Sequence, residues 1–399
     1  MSEISNHNQT RIEKLVDLFN CIIYKRDAAN KIRQNQLLID QTIPSDIISV
    51  VDRLVKDNIP IEELKKGINK FINVVHNSIA NYPYSEPEAD SYLDYCIKNN
   101  RELDIRLNAI RPVIKQLNKN PDDKILQQKL AELFNDVLIY DKYYIIKENI
   151  LFPILENQWE EFRCLKVMWS FHDDIRRNIK KVIQILSESS YDIKTVNSLT
   201  GDIFFNMYAL IFREERIMFP FIQETIPNEK LDSLFKESFE IGFPYYNPEK
   251  IIEEKSIFQK KDTDSINLKS GELNAEQIIL LFNHLPVDIT FVDENNKVKY
   301  FSTPKKRIFH RTNIIIGRDV SNCHPPESVH VVEQIIQAFR SGEQDNANFW
   351  IKMKGEYILI QYFALRNEKG NYKGVIEVSQ EISGIQNITG ERRLLEWGN

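Results

Sequence analysis

The sequence predicts a multidomain protein: an all-α N-terminal region that includes a four-helix up-down bundle, followed by an α+β domain built on an antiparallel sheet. Three observations lead there. The chain has 399 residues, too many for one ordinary core at about 100 to 200 residues per domain. Four long amphipathic segments joined by short loops fill its middle. Beyond about residue 285 the apolar period changes from helical spacing to alternation.

The elements follow in order. From Ile12 the apolar residues Leu15, Val16, Phe19, Ile22 and Ile23 form a helical stripe. Ser45 or Asp46 caps a second helix carrying Ile47, Ile48, Val50, Val51, Leu54 and Val55. Pro60 opens a third, with Leu64, Ile68, Phe71, Ile72, Val75 and Ile79 on one face. Residues 1–80 therefore read as a small helical domain of its own. After the proline-marked break Tyr82-Pro83-Tyr84-Ser85-Glu86-Pro87 come helical segments at about 90–117, 124–156, 162–189 and 196–225. An up-down bundle over 84–235 is their economical packing. The pattern is then lost, and residues 236–272 read as a linker.

In the last third a helix from Asn274 to His284 leads into a hairpin of 288–293 and 297–301 across the turn Glu294-Asn295-Asn296. Further strands are expected at 348–351, 357–365 and 374–379. A helix opening at Pro325-Pro326 sits between the two groups of strands. This places an α+β domain at 273–387 and a tail at 388–399.

Composition bounds the function. No run of about 18 apolar residues exists to span a bilayer, and the polar start Met1 to Thr10 is no secretory signal. A cytoplasmic protein is expected. Cys21, Cys96, Cys164 and Cys323 show no C-x-x-C pair and suit reduced thiols. A net charge of −6 argues against nucleic acid as partner, because phosphate contacts need a basic face. No phosphate-cradling loop, nucleophile elbow or H-E-x-x-H occurs, so the chain reads as a non-enzyme.

Two stretches rhyme: Lys147-Glu148-Asn149-Ile150-Leu151-Phe152-Pro153 and Arg213-Glu214-Glu215-Arg216-Ile217-Met218-Phe219-Pro220. Helical spacing puts Asp141, Tyr144, Glu148 and Leu151 on one stripe, Trp169, His172 and Ile175 on a second, and Leu210, Glu214 and Ile217 on a third. Asp141, Glu148, His172 and Glu214 should thus face the bundle interior. Glu148, His172 and Glu214 are candidate ligands of a single metal, or part of a two-metal centre. The alternative is a metal-free polar core, in which charged His172, Arg176 or tyrosine hydroxyls satisfy the carboxylates. In the last third, His284, His310, His324 and His330 cluster, with Cys323 beside His324. His310, His324, His330 and Cys323 are the candidate ligand-binding residues, and haem is one candidate cofactor. Each of these histidines also has a structural reading, as does His76 on the first domain's apolar stripe.

The segment from Gly317 to His330, Gly-Arg-Asp-Val-Ser-Asn-Cys-His-Pro-Pro-Glu-Ser-Val-His, with Leu285 to Asp293 ahead of it and Glu381-Ile382-Ser383 after it, resembles a PAS domain. The subgroup it resembles follows hemerythrin-like (HHE) domains in a bacterial three-part family, whose N-terminal helical domain is of unknown function. The middle segments resemble that hemerythrin-like bundle with degenerate metal ligands. Val167 to Arg176 keeps the family's histidine at His172, but Tyr143 stands where the family has another, and the first helix offers only Ser91 and Asp94. A diiron centre needs about five imidazoles, which argues against iron in the bundle.

The resemblance implies a sensory or regulatory protein whose PAS-like domain takes a small-molecule ligand and can form a homodimer. Too little chain follows Ser383 for an attached output domain, so the signal is expected to return to the helical domains or pass to an unidentified protein partner. A metal-bound bundle responding to oxygen or nitric oxide, and a ligand-free interaction scaffold, are the alternatives.

Overall fold

A computed structural model of the chain describes residues 2–24, 26–188, 191–247 and 266–391. They form two compact units that divide at Ile251/Ile252. The first is helical, and the second carries an antiparallel sheet.

The helical unit begins with α1 (Ser2–Ile23), α2 (Ala28–Gln34), α3 (Gln36–Asp40), α4 (Pro44–Lys56) and α5 (Ile61–Ala80). Pro44 sits in the first turn of α4, where its missing N–H costs nothing. The Asp46 carboxylate accepts the Ile43 N–H at 2.9 Å and is clasped by Arg11 of α1 at 2.8 Å. That clasp ties the entry of α4 to α1.

Next come α6 (Tyr92–Leu117), α7 (Lys124–Leu138), α8 (Asp141–Ile146), α9 (Phe152–Gln158), α10 (Cys164–Ser187), α11 (Ile193–Arg213) and α12 (Phe219–Thr225). Ser91, Asp123 and Asp192 cap α6, α7 and α11 by accepting N–H groups of their first turns. The long segments pack in a ring, α6 on α7, α7 on α10, α10 on α11, and α11 back on α6. The two rhyming stretches share a backbone device. Residues Lys147–Leu151 and Glu214–Met218 are π-helical turns, in which Phe152 N–H donates to the Lys147 carbonyl and Phe219 N–H to the Glu214 carbonyl. Pro153 and Pro220 follow at once, with no N–H to give, and a widened turn accommodates their rings.

The break at Tyr82–Pro87 separates two helical blocks that nonetheless pack into one unit. Lys65 Nζ meets Asp174 at 2.7 Å, the Arg163 N–H donates to Asp52 at 2.7 Å, and Ser49 donates to Glu161 at 2.7 Å. The expected linker at 236–272 begins too early. Residues Asn228–Asp232 (α13) and Phe235–Ile241 (α14) are helical, and Phe243 is buried against Tyr92 and Tyr95. The Tyr245 hydroxyl donates to the Asp136 carbonyl at 2.8 Å, and Asn99 clamps the backbone of Tyr245 and Tyr246. Large aromatic side chains find a surface to cover even where the helical period has ended. The stretch 248–265 of the expected linker, and the expected tail beyond 391, lie outside the described residues.

The second unit opens with a short hairpin, β1 (Ile266–Asn267) and β2 (Glu272–Leu273), then α15 (Ala275–His284), whose start is closed by a capping box of Asn274 and Gln277. Strands β3 (Asp288–Asp293), β4 (Val298–Phe301), β5 (Asn346–Met353), β6 (Glu356–Arg366) and β7 (Tyr372–Glu381) form one antiparallel sheet in the order β4-β3-β7-β6-β5. Helix α16 (Pro326–Ser341) covers one face, ending at Gly342 in the left-handed region, and α17 (Ser383–Gln386) closes the unit. The core joins Val292, Val298, Phe301, Ile315, Val320 and Ile336. The expected strands and the Pro-led helix appear with boundaries shifted by a few residues. No helix of the described residues is long and apolar enough to cross a membrane.

Gly374 is fixed by its neighbours. It sits at φ +130°, and a Cβ there would lie 2.1 Å from the Val292 carbonyl oxygen. Because that oxygen belongs to a central strand, Gly374→Ala is expected to destabilise the C-terminal unit by about 3 kcal/mol or more. Chemical denaturation of the full chain checks this, and an unchanged transition would contradict the close approach.

Candidate functional site

The central strands of the sheet place three polar side chains in one row. Thr290 of β3 stands opposite Glu377 of β7, and Glu377 stands opposite Tyr362 of β6. Two residues along, Val292 and Val375 form an apolar row on the same face. Between this face and α16 lies a cavity of about 30 Å³, walled by these residues with Val332, Ile335 and Ile336 of the helix. Arg311, Cys323 and His324 complete the lining from the crossover between β4 and α16.

The polar end of the cavity is a buried ion pair. Arg311 Nη2 lies 3.4 Å from Glu377 Oε1, and both side chains are close to nine-tenths buried. Tyr362 bonds the same carboxylate, and burial together with that charge pushes its hydroxyl pKa up. Burial, with Arg311 and Arg318 nearby, pushes His324 down to about 4 against the pull of Glu377, so its imidazole is neutral at pH 7. Arg311 Nε and Thr290 Oγ1 are buried with no hydrogen-bond partner. Two unmet polar atoms on the wall of an apolar cavity are a place for a ligand or water to bind. The volume suits roughly two waters, whereas a haem needs several hundred Å³.

Of the residues expected here from sequence, His324 and Cys323 line the cavity. His310 and His330 are exposed and do not. Arg311, Glu377, Tyr362 and Thr290 were missed. Glu377 alone left a local trace, as a carboxylate between Ile376 and Val378 in an otherwise apolar strand.

The helical unit buries a second polar cluster. Lys147 and Glu214, the first residues of the two π turns or their segments, form an ion pair with almost no exposure of either side chain. The Tyr143 hydroxyl donates to Glu214 at 3.1 Å, and the Tyr143 and Tyr144 rings lie 4.6 and 4.7 Å from the Lys147 ammonium. Beside it, Tyr140 donates to Asn100, which donates to Glu215 at 2.9 Å.

Glu148 and His172 meet, Oε1 to Nδ1, at 2.7 Å, and Arg176 donates to the other carboxylate oxygen at 2.9 Å. Arg176 also holds Asp141 and Asp173. Burial pushes Glu148 up to about 7 although Arg176 pulls it down. Burial and the neighbouring Lys147 and Arg176 push His172 well below its usual value, so it is neutral and not the charged partner that the sequence allowed.

Glu148, His172 and Glu214 therefore do not converge as a ligand set. Arg176 takes one carboxylate and Lys147 the other, which puts side-chain cations where a metal would need to be. Among the described residues, no three His, Cys, Asp or Glu side chains are arranged to hold a metal ion. The residues present do not fit a carboxylate-bridged centre.

Residues 278–383 match the family described as the PAS domain. A solved C-terminal domain from Streptococcus mutans is 32% identical over 31% of this chain and 96% of its own, with a TM-score of 0.30. The PAS domain of a Colwellia psychrerythraea protein is 17% identical over 27% of this chain and 97% of its own, with a TM-score of 0.23. A sensory box sensor histidine kinase from Vibrio cholerae is 13% identical over 27% of this chain and 90% of its own, with a TM-score of 0.22. No curated protein matches. The C-terminal unit thus contains a PAS domain.

Two outcomes are expected from the buried cluster. Lys147→Met strands Glu214 and should cost about 3–5 kcal/mol, most of it recovered in Lys147→Met/Glu214→Leu; additive losses in urea denaturation would refute the pairing. Glu148 supplies a pH signature. Its folded pKa of about 7 exceeds its unfolded 4.5, so its stabilising contribution is complete below about pH 4.5 and fades as pH rises through 7. The stability of wild type relative to Glu148→Gln should fall over that window, and a flat difference would place the carboxyl in water.

Proposed function

We propose that this protein is a non-catalytic sensory or regulatory protein whose PAS domain takes a small, neutral, polar ligand into the cavity between the sheet and α16. The observation that carries this is the cavity's polar end. Arg311 and Glu377 cancel each other's charge, yet Arg311 Nε and Thr290 Oγ1 still lack partners. An uncharged ligand with a hydrogen-bond acceptor satisfies the guanidinium without adding a charge to a low-dielectric site. The apolar rows then hold its body.

The position of Glu377 supports a route for the signal. It lies on β7, whose end is fastened to β6 where Ile382 N–H donates to the Tyr357 carbonyl and Ser383 Oγ accepts the Tyr357 N–H at 2.9 Å. A ligand that changes the Arg311–Glu377 contact acts on the strand that leads out of the domain. From there the state passes to the helical region or to a separate protein partner. An occupant larger than a few atoms requires α16 to move off the sheet.

The test is a thermal-shift and ligand-observed NMR screen of the full chain with neutral fragments of about three heavy atoms. Fragments with an acceptor should raise the unfolding temperature, and Arg311→Met should abolish the effect. No binder, or binders indifferent to Arg311→Met, would sink the reading. A Soret band on adding one equivalent of haem that vanishes in His324→Ala would replace the small ligand by haem.

A further inference from the structure

Arg213, the last residue of α11, is a buried cation without an anion. It is only 5% exposed. One nitrogen, Nη2, donates to the side-chain oxygen of Asn69 on α5, and the guanidinium lies 4.3 Å from the centroid of the Phe171 ring. Nε and Nη1 have no hydrogen-bond partner. The other buried cations described in this unit are treated differently, since Lys65 meets Asp174 and Lys147 meets Glu214, and the largely buried Arg176 meets Glu148. Arg213 meets an amide. Burial alone pushes its pKa down to about 9, with no acidic group offsetting it, and at neutral pH it still carries its charge.

Next to it lies a cavity of about 50 Å³. Its walls are apolar and come from both helical blocks, with Ile48 and Val51 of α4, Ile72 of α5, Phe171 of α10, and Ile217 and Met218 of the second π turn. Arg213 is the charged group of the lining. By the measure of about 10–15 Å³ per water-sized group, there is room for about four such groups. An unpaired guanidinium held against apolar walls costs several kcal/mol, and an anion of the right size removes that cost. A strongly hydrated dianion would lose more solvation than these walls return, whereas an apolar body gains by entering.

We propose that the cavity between α4, α5 and α10 is a second ligand site, which takes a short apolar monocarboxylate with its carboxylate on Arg213 and its hydrocarbon part among the isoleucines and Met218. Carboxylate and guanidinium then neutralise one another, and the orphaned Nε and Nη1 gain acceptors. Since the walls come from two helical blocks, an occupant holds α4 and α5 against α10.

The test is titration of the full chain with sodium acetate, whose four heavy atoms match the cavity, read by calorimetry and by thermal unfolding, with sodium chloride and ethanol as matched controls. The expected result is a rise in unfolding temperature of about 3 °C or more at saturating acetate, absent with either control. Arg213→Met should lose the response and Arg311→Met should keep it, which separates this site from the PAS cavity. No heat and no shift with wild type would overturn the proposal whether or not Arg213→Met folds. An equal shift with chloride would overturn the carboxylate assignment, and a response that survives Arg213→Met would overturn the site.

Discussion

A charge taken out of water is costly until it meets an opposite charge, and the polar clusters of the helical unit are organised around that cost. Glu214 reaches the interior because Lys147 is there to receive it, and Lys147 is tolerable because two tyrosine rings and a carboxylate surround it. The same holds one step further along the helices, where Arg176 collects Glu148, Asp141 and Asp173. His172, neutral and stacked 4.1 Å from Tyr144, closes that cluster without adding charge. Inward carboxylates at helical spacing therefore do not by themselves call for a metal. Two side-chain cations do the neutralising that a metal ion would otherwise do.

In the sheet, register plays the part that ion pairing plays in the helices. Thr290, Glu377 and Tyr362 form a row only because β3, β7 and β6 are aligned as they are. A slip of one residue would turn Glu377 to the other face and leave Arg311 alone in the core. The close approach of Gly374 to the Val292 carbonyl holds that alignment at the start of β7. Sheet geometry and cavity chemistry are thus one constraint, and a polar row among valines is its mark.

Much of the fold could be read from local pattern, because helical stripes and alternating strands are properties of short windows. Pro60, Pro326 and the turn before Lys297 marked element starts for reasons that act within a few residues. The stripes also brought Glu148 to His172 correctly. Lys147 escaped the same reasoning: at 3.6 residues per turn it points away from the Glu148 stripe, yet the π turn widens the helix there and both residues are buried. The segment 236–247 escaped for another reason. Phe243 and Tyr245 are placed by Tyr92, Asn99 and Asp136, more than a hundred residues earlier, and no local period records that. In the PAS domain the histidines drew attention as a residue type, but His310 and His330 face solvent while Arg311, the next residue after His310, faces the cavity. The pairing of strands far apart in sequence, which assembles the polar row, leaves almost no trace in any single strand.

Two buried guanidinium groups make a final comparison. Arg311 and Arg213 both border apolar cavities, and both keep nitrogen atoms without acceptors. They differ in one neighbour. Arg311 has Glu377, so its site is neutral before anything enters, and a charged occupant would leave an unbalanced charge in the core. Arg213 has Asn69, which offers an acceptor but no charge, so its site is balanced only when an anion arrives. Size acts in the same direction, since the cavity beside Arg213 is the larger and can take a carboxylate with a short chain. A single carboxylate, present in one site and missing from the other, is enough to assign opposite charge preferences to two pockets of otherwise similar make-up.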